Sequence, residues 1–297
     1  MFSVVIPLYN KAANIKQTLK SVLNQTFADF EIVVVNDGSS DDSPEIVRSI
    51  NDPRIRLINQ TNAGVSAARN KGIAEAQNDW IAFLDADDLW KPNKLEEVAK
   101  AINSSANITW LVTGMEIVKG KQIKEFLYKK GGFLKDALDA LLDGLYIQTS
   151  SVIVKKQLFN DDSNLLFRIG LNNSEDREVW YKLIFKYPKL FYINKILASY
   201  IRDTGNSLTI TNNVNFGFLT LNERLKVQIN NLEESRRKKF FTFINLFNRR
   251  AFYNFWLRNG TNSPFVEHLD VSDLNMMRIL NPMPNYIKRI FIKLFVR

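Results

Sequence analysis

The first hundred residues alternate between short apolar runs and segments in which apolar residues recur at helical spacing. Strand-like apolar runs occupy residues 4–8, 31–35, 55–58 and 80–84. Helical patterns occupy residues 14–24, 64–76 and 92–102, and a helix start is indicated at 42–45. Strand and helix alternating four times predict βαβ units, and therefore a parallel sheet with helices on both faces.

The pattern changes along the rest of the chain. Further strand-like segments lie at 108–115, 151–154 and 190–200, and helical ones at 133–142 and 178–186. From about residue 214 the sequence becomes helical, aromatic and basic. We therefore predict an α/β domain over residues 1–210, with halves 1–105 and 106–210, and a C-terminal helical region over 211–297.

Each of the four apolar runs ends in a polar cluster. These clusters are residues 9–10, 36–40, 62–64 and 85–88. Parallel sheets bind ligands beyond the carboxyl ends of their strands, so the coincidence of four clusters on one edge indicates a nucleotide-type site.

The last cluster, Asp85-Ala86-Asp87-Asp88, has three carboxylates directly after a buried strand. Packing carboxylates together is unfavourable unless a cation compensates their charge. Hard oxygen ligands suit Mg²⁺ or Mn²⁺, which often also hold a substrate's phosphates. The alternative is a solvated turn that ends in a helix cap.

Composition narrows the class of protein. The 297 residues include no cysteine and a single histidine, His268, so disulfides, thiolate metal sites and His-rich metal sites are excluded. The N-terminus has no basic region before its first strand, and no apolar run approaches the roughly 20 residues that span a bilayer. We therefore expect a cytoplasmic protein.

The net charge of +9 is concentrated at the C-terminal end, where residues 215–297 contain 14 basic and 6 acidic side chains. Such asymmetry suggests an anionic partner, either a membrane surface or a nucleic acid. Residues 287–297 mix basic and bulky apolar side chains at roughly helical spacing. This segment indicates an interfacial anchor over 285–297, or else a terminal helix packed on the domain. The aromatic residues at 240–256 suggest a hydrophobic core or a dimer surface.

Five motifs in order identify a family resemblance. They are 3–10 (SVVIPLYN), 21–26 (SVLNQT), 31–41 (EIVVVNDGSSD), 62–72 (NAGVSAARNKG) and 85–88 (DADD). Together they resemble the family-two glycosyltransferases of the GT-A fold, densely over residues 2–105 and at scattered points to about 208. The resemblance implies a mostly parallel central sheet with helices on both faces, a nucleotide-binding half over 1–105 and an acceptor-binding half over 106–210.

The same resemblance assigns the donor site. Asp87 resembles the family's metal ligand, and Asp85 the residue that contacts the donor ribose and the metal shell, with Mn²⁺ or Mg²⁺ as the implied cofactor. Asp37 resembles the uracil-reading aspartate, and Gly38 would let the nucleoside approach the backbone. Pro7 and Tyr9 resemble positions that flank the base, with the Tyr9 ring as a stacking surface. Arg69, in the third predicted helix, would reach the phosphates. From the residues alone, Asp37 could also belong to a plain turn, Arg69 to a structural ion pair, and Asp88 either to a supporting acid or to a helix cap.

Acceptor activation is implied by Ser174-Glu175-Asp176 followed by Trp180. Asp176 resembles the general base and Glu175 a residue that orients the acceptor. An acidic first turn of an ordinary helix is the alternative. Arg202 lies in a segment that resembles a donor-closing loop and would neutralise phosphate charge. Where many relatives have a histidine, this chain has Asp203, which leaves the third metal ligand open.

The function implied is transfer of a sugar, with inversion, from a nucleotide-diphospho-sugar, expected to be a UDP-sugar. The acceptor would be a saccharide or a polyprenyl-linked saccharide in bacterial surface-polysaccharide assembly. A sugar nucleotidyltransferase is a second hypothesis, although residues 7–10 contain no glycine for a phosphate loop. A nucleic-acid-binding protein is a third, but no recognised nucleic-acid motif accompanies the basic residues, so no nucleic-acid partner is expected.

Overall fold

The computed structural model describes residues 1–171, 174–202 and 221–244. The chain divides into two compact units, residues 1–217 and 218–297, each described here by itself. The first unit contains the sheet, and the described part of the second is helical. The domain boundary near residue 210 stays a prediction, and the predicted anchor at 285–297 lies outside the described residues.

The first unit follows the predicted alternation closely. Its strands are β1 (Phe2–Leu8), β2 (Phe30–Asp37), β3 (Ile55–Gln60), β4 (Trp80–Phe83), β5 (Leu89–Trp90), β6 (Trp110–Lys119), β7 (Gln122–Phe126), β8 (Gly132–Phe133), β9 (Val152–Lys155) and β10 (Phe191–Ile201). Its helices are α1 (Ile15–Leu23), α2 (Ser43–Arg48), α3 (Val65–Glu75), α4 (Lys94–Ser104), α5 (Ala137–Leu142), α6 (Gln157–Asp161) and α7 (Glu175–Lys186). In the second unit, α8 (Leu221–Arg224) and α9 (Lys226–Asn230) precede a helical stretch at 234–244.

All described strands belong to one sheet, in the order β3-β2-β1-β4-β9-β6-β10-β5, with β7 beside β6 and β8 beside β10. The four strands from β3 to β4 are parallel. Strand β9 is antiparallel to both β4 and β6, so β6 and its parallel neighbour β10 point the same way as β1. The α/β class is confirmed, and the sheet is parallel in its first half and mixed in its second.

Helices cover both faces of the parallel half because alternate strand residues point to opposite sides. Val4, Ile6 and Leu8 join the core formed with α1 and α4. The other face packs against α3, where Gly72 lies so close to β1 that a Cβ there would overlap Val5 Cγ1. A side chain at position 72 would therefore push α3 away from the strands whose ends carry the polar clusters.

Several short elements differ from the sequence prediction, and among them β5 and α6 match no predicted segment. The helix predicted at 133–142 begins only at Ala137, because Phe133 lies in β8 and stacks edge-on against Phe191, 5.2 Å between ring centroids. Strand β7 was not predicted, since its polar sequence gives no apolar run. It forms a hairpin with β6 through a tight turn at Gly120, whose φ of +55° favours glycine.

No membrane-spanning segment is found among the described helices, since none of them is both long enough and apolar enough.

One buried cation in the core is unusual. Lys94, at the start of α4, has no exposed surface; its Nζ donates to Thr113 Oγ1 at 3.0 Å and lies 5.1 Å from the Trp90 ring centroid. Burial lowers the pKa of Lys94 from 10.5 to about 7. Between these two pH values the unfolded chain therefore holds a proton that the folded chain has released.

We expect Lys94→Met to raise the free energy of unfolding at pH 7 by about 2 kcal/mol, because methionine removes the cost of burying or neutralising an ammonium group. Stability of the wild type should rise as the pH increases from about 7 to about 10, and that rise should be smaller in the variant. Urea unfolding across this pH range measures both curves. Curves that stay parallel would contradict the assignment.

Candidate active site

The end of β2 holds a buried carboxylate, Asp37, the position predicted to read uracil. Asp37 is buried and accepts hydrogen bonds from Gln60 Nε2 at 2.7 Å and from the backbone N–H groups of Ala63 and Gly64, both at 2.9 Å. It therefore fixes the loop between β3 and α3. A carboxylate offers about four acceptor positions, so these three bonds leave capacity for one more donor.

Backbone conformation and close packing both require glycine at position 38. Its φ is +70°, a conformation that side chains rarely adopt, and a Cβ would lie 3.0 Å from the Asn62 backbone nitrogen. The turn can thus pass directly beside the β3–α3 loop. The predicted close approach of a nucleoside to Gly38 stays a prediction.

The end of β1 provides an exposed aromatic ring. Pro7 is half-buried within the strand, and Tyr9, just after it, is 48% exposed. Asn10 has a φ of +51°; its N–H donates to Ser39 Oγ at 3.1 Å and its Oδ1 accepts from the Ser40 N–H at 2.8 Å. These bonds join the β1 and β2 ends and place the exposed Tyr9 next to that junction.

A buried arginine connects the two acidic motifs. Arg69 NH2 lies 2.8 Å from Asp85 Oδ1, and NH1 lies 2.8 Å from Glu175 Oε1. The guanidinium is almost fully buried and also lies 5.3 Å from the Phe167 ring centroid. These contacts are those of the structural ion pair that the sequence left as an alternative. Arg69 thus binds Glu175, which lies 106 positions further along the chain.

Burial and neighbouring charges shift the pKa values of the two carboxyl groups that Arg69 binds. Burial raises the pKa of Asp85, and the nearby Asp87 charge adds to that effect, while Arg69 opposes it. Burial and the Asp176 charge raise the pKa of Glu175, again opposed by Arg69. Removing Arg69 would leave two carboxylates in a water-poor site without their common counter-charge, which is costly.

Asp87 faces a lysine that sequence reasoning did not select. Lys11 Nζ lies 2.6 Å from Asp87 Oδ2, and both side chains are mostly buried. The lysine immediately follows the polar end of β1, which was the available signal. Its ammonium group shows that the site balances the Asp87 charge with a cation.

The two carboxylates fit a divalent cation only with help from a ligand. Asp85 and Asp87 are hard oxygen donors at the same strand end, but no group of three or more acidic or histidine side chains that could hold a metal occurs among the described residues. Mg²⁺ and Mn²⁺ sites are commonly completed by phosphate oxygens and water. The donor set therefore suits a metal that arrives with a diphosphate.

Asp88 binds two segments behind the site, residues 148–150 and the end of β10. It is fully buried and accepts from Ser150 Oγ at 2.6 Å, from Gln148 Nε2 at 2.9 Å and from the Ile201 N–H at 3.3 Å. Burial, with the charges of Asp85 and Asp87, raises its pKa well above the usual range. Asp88 is thus neither exposed nor free to cap the following helix.

Asp176, the predicted base, lies in the first turn of α7, and its role as a base stays a prediction. Glu175 is the first residue of that helix and Asp176 the second, where the helix dipole favours a negative charge. Thr149 Oγ1 donates to Asp176 Oδ2 at 2.9 Å. Trp180, one turn further on, is buried against Phe83 and anchors the helix at a centroid separation of 5.5 Å.

Residues 148–150 connect the two sides of the site. Ser150 Oγ accepts from the Asp85 N–H at 3.1 Å and donates to Asp88, while the adjacent Thr149 bonds to Asp176. No sequence pattern indicates this role, since Thr149 and Ser150 are ordinary polar residues just before a predicted strand.

Arg202 follows β10 at the same edge. Its N–H donates to the Val118 carbonyl at 2.9 Å, and its guanidinium carbon lies 5.8 Å from the Tyr200 ring centroid. The side chain is exposed. Contact with phosphates stays a prediction, and Asp203 lies outside the described residues.

The fold, a central sheet with helices on both faces, is that of the GT-A class of enzymes. The sequence model named "Glycosyl transferase family 2" matches residues 3–170. The chain therefore belongs to glycosyl transferase family 2, as the motifs predicted.

Relatives of known sequence are also glycosyltransferases by name. An uncharacterized glycosyltransferase of Rickettsia bellii is 32% identical over 213 residues, which are 71% of this chain and 30% of that protein. The glycosyltransferase GlyG of Streptococcus pneumoniae is 29% identical over 226 residues, 69% of this chain and 72% of GlyG. The chain thus spans less than a third of the first relative's length.

A solved structure shares the fold. A TarS fragment of S. aureus, crystallised in complex with UDP-GlcNAc, superimposes with a TM-score of 0.71 at 22% identity. The match covers 92% of this chain and 77% of the fragment.

Proposed function

We propose that the chain is an inverting glycosyltransferase that moves a sugar from a nucleotide-diphospho-sugar, expected to be a UDP-sugar, to a saccharide or lipid-linked saccharide. The observation that carries this proposal is the Arg69 bridge, which joins Asp85 of the Asp85–Asp88 motif to Glu175, the neighbour of Asp176 in the chain. A donor-side acid cluster next to an acceptor-side acid pair is what a two-substrate transfer requires. The UDP-GlcNAc complex of the TarS fragment is consistent with a UDP-sugar donor.

The nucleoside half of the donor would bind at the β1 and β2 ends. Asp37 has acceptor capacity for a uracil N3–H group, and Tyr9 offers its exposed ring for stacking. Pro7 and Gly38 would flank the base. Cytosine presents an acceptor at N3 instead of a donor, so an acceptor-only Asp37 disfavours it.

The diphosphate would lie over Asp85 and Asp87. A bound Mn²⁺ or Mg²⁺ ion would stabilise the negative charge that develops on the departing nucleoside diphosphate. Asp87 and Asp85 would supply the protein ligands, and Arg202 would face the phosphates from the β10 end. Arg69 orients Asp85 and does not need to touch the donor.

The acceptor hydroxyl would be deprotonated by Asp176 as its oxygen attacks the anomeric carbon. The bond from that carbon to the donor phosphate breaks on the opposite face, so the configuration inverts and an α-linked donor gives a β-linked product. Glu175, held by Arg69, would orient the acceptor. Surface-polysaccharide assembly at the cytoplasmic face of the membrane is the setting we propose, with residues 285–297 as a membrane contact.

Thr149 should affect turnover without affecting donor binding. We expect Thr149→Val to lower kcat about 10- to 100-fold, because a hydrogen bond to a charged group contributes about 1.5–3 kcal/mol. The donor KM should not change, since Thr149 contacts Asp176 and not the β1 or β2 ends. Steady-state kinetics checks both values, and Thr149→Ser, which keeps the hydroxyl, should retain most of the activity. Equal losses in the valine and serine variants would contradict a hydrogen-bonding role.

Turnover of UDP-sugars tests the proposal itself. The full chain is incubated with individual UDP-sugars, Mn²⁺ and a bacterial lipid-linked saccharide extract, and NMR follows UDP release and the anomeric configuration of the product. We expect UDP release with at least one donor, and a β-linked product from an α-linked donor. A product with retained configuration would overturn the assignment of Asp176 as base.

A further inference from the structure

The β6–β7 hairpin presents a basic and apolar tip at the active-site edge. Residues 119–124 contain Lys119, Lys121 and Lys124, and no acidic residue. All six residues of this tip are exposed, and Ile123 is 61% exposed. Within the described part of the chain these three lysines form no ion pair, although Lys124 lies 4.9 Å from the Phe126 ring centroid.

The position of this hairpin tip follows from the sheet. Val118 pairs with Ile201 of β10, and the Ile201 N–H reaches Asp88, so the tip lies at the level of the aspartate cluster or just beyond it. Strands β6 and β10 point the same way as β1, which directs the hairpin tip out of the edge that carries the candidate site. Arg202 adds a further exposed cation beside Val118.

We propose that the hairpin tip docks this edge of the enzyme onto an anionic lipid surface. Lysines near such a surface are attracted to its headgroups, and an exposed isoleucine among them can enter the interface between headgroups and acyl chains. The isoleucine favours a lipid surface over the phosphate backbone of a nucleic acid, which offers it no apolar contact. Docking here would bring Asp176 close to a lipid-linked acceptor. This benefit of docking rests on the proposed function.

Vesicle binding by the full chain tests the proposal. The triple variant Lys119→Gln, Lys121→Gln, Lys124→Gln is compared with a control that loses the same charge elsewhere, at exposed Lys16, Lys20 and Lys155. Sedimentation is measured with vesicles of phosphatidylcholine alone or mixed with phosphatidylglycerol. We expect at least a tenfold loss of binding to the mixed vesicles in the triple variant and little change in the control. Equal binding by the two variants would overturn the proposal.

Two further measurements separate the alternatives. Ile123→Ser should weaken binding to mixed vesicles but leave binding to a DNA duplex unchanged. If instead the triple variant loses only duplex binding, the hairpin tip is a nucleic-acid contact and the lipid proposal fails. UDP affinity should be the same in every variant, so failure of the lipid proposal and failure of the donor assignment are distinguishable.

Discussion

Asp176→Asn should slow transfer by orders of magnitude while leaving UDP affinity unchanged. We expect kcat to fall about 10²- to 10⁴-fold, the usual contribution of a positioned general base, because asparagine cannot accept the acceptor proton. The folded site should persist, since an amide still accepts the Thr149 hydrogen bond. Stopped assays of UDP release and calorimetric UDP titrations measure the two quantities.

A matched control is Asp161→Asn, which neutralises an exposed acid at the end of α6. This control should retain wild-type turnover. Normal turnover in Asp176→Asn would show that another group takes the proton, and a simultaneous loss of UDP affinity would show that Asp176 supports the donor side.

Asp87→Ala should remove the Mn²⁺-dependent part of UDP binding. The variant keeps only the Asp85 carboxylate as a metal ligand, and that carboxylate is already paired with Arg69. Because one paired carboxylate binds Mn²⁺ more weakly than two, we expect UDP affinity in the presence of Mn²⁺ to fall at least tenfold. Affinity measured with a chelator should not fall, because the Lys11 ammonium group remains near the site. Titrations of UDP with Mn²⁺ and with chelator give the comparison.

Lys11→Gln distinguishes loss of a metal ligand from loss of the ion pair. It breaks the same contact as Asp87→Ala but keeps both carboxylates, so Mn²⁺ should still strengthen UDP binding. Retained Mn²⁺ dependence in Asp87→Ala would remove Asp87 from the metal role.

Local patterns predicted the parallel half of the fold well. Its strands are apolar because both faces are covered, and buried strands of this kind stand out in the sequence. Strand β7 escaped prediction because it lies at an exposed edge, where no pattern of burial shapes its composition. Phe133 was assigned to a helix because its pairing with β10 depends on a residue far along the chain.

Only part of the candidate site could likewise be predicted from local sequence patterns. The polar clusters at the strand ends could be assigned to one edge because parallel strands end together. The role of Arg69 could not be settled, since its partner Glu175 reaches it only through the folding of the second half. Thr149 and Ser150 were missed for the same reason: each is an ordinary polar residue until the fold brings it to an aspartate.

The most direct test of the central claim, that this edge binds UDP together with a divalent cation, needs no acceptor. Thermal unfolding of the chain is measured with UDP, GDP, dTDP, CMP and AMP, each with and without Mn²⁺, because a ligand that binds the native state raises the Tm. The account predicts that UDP with Mn²⁺ gives the largest rise and that omitting Mn²⁺ removes most of it. An equal response to all five nucleotides, or none to UDP, would contradict it.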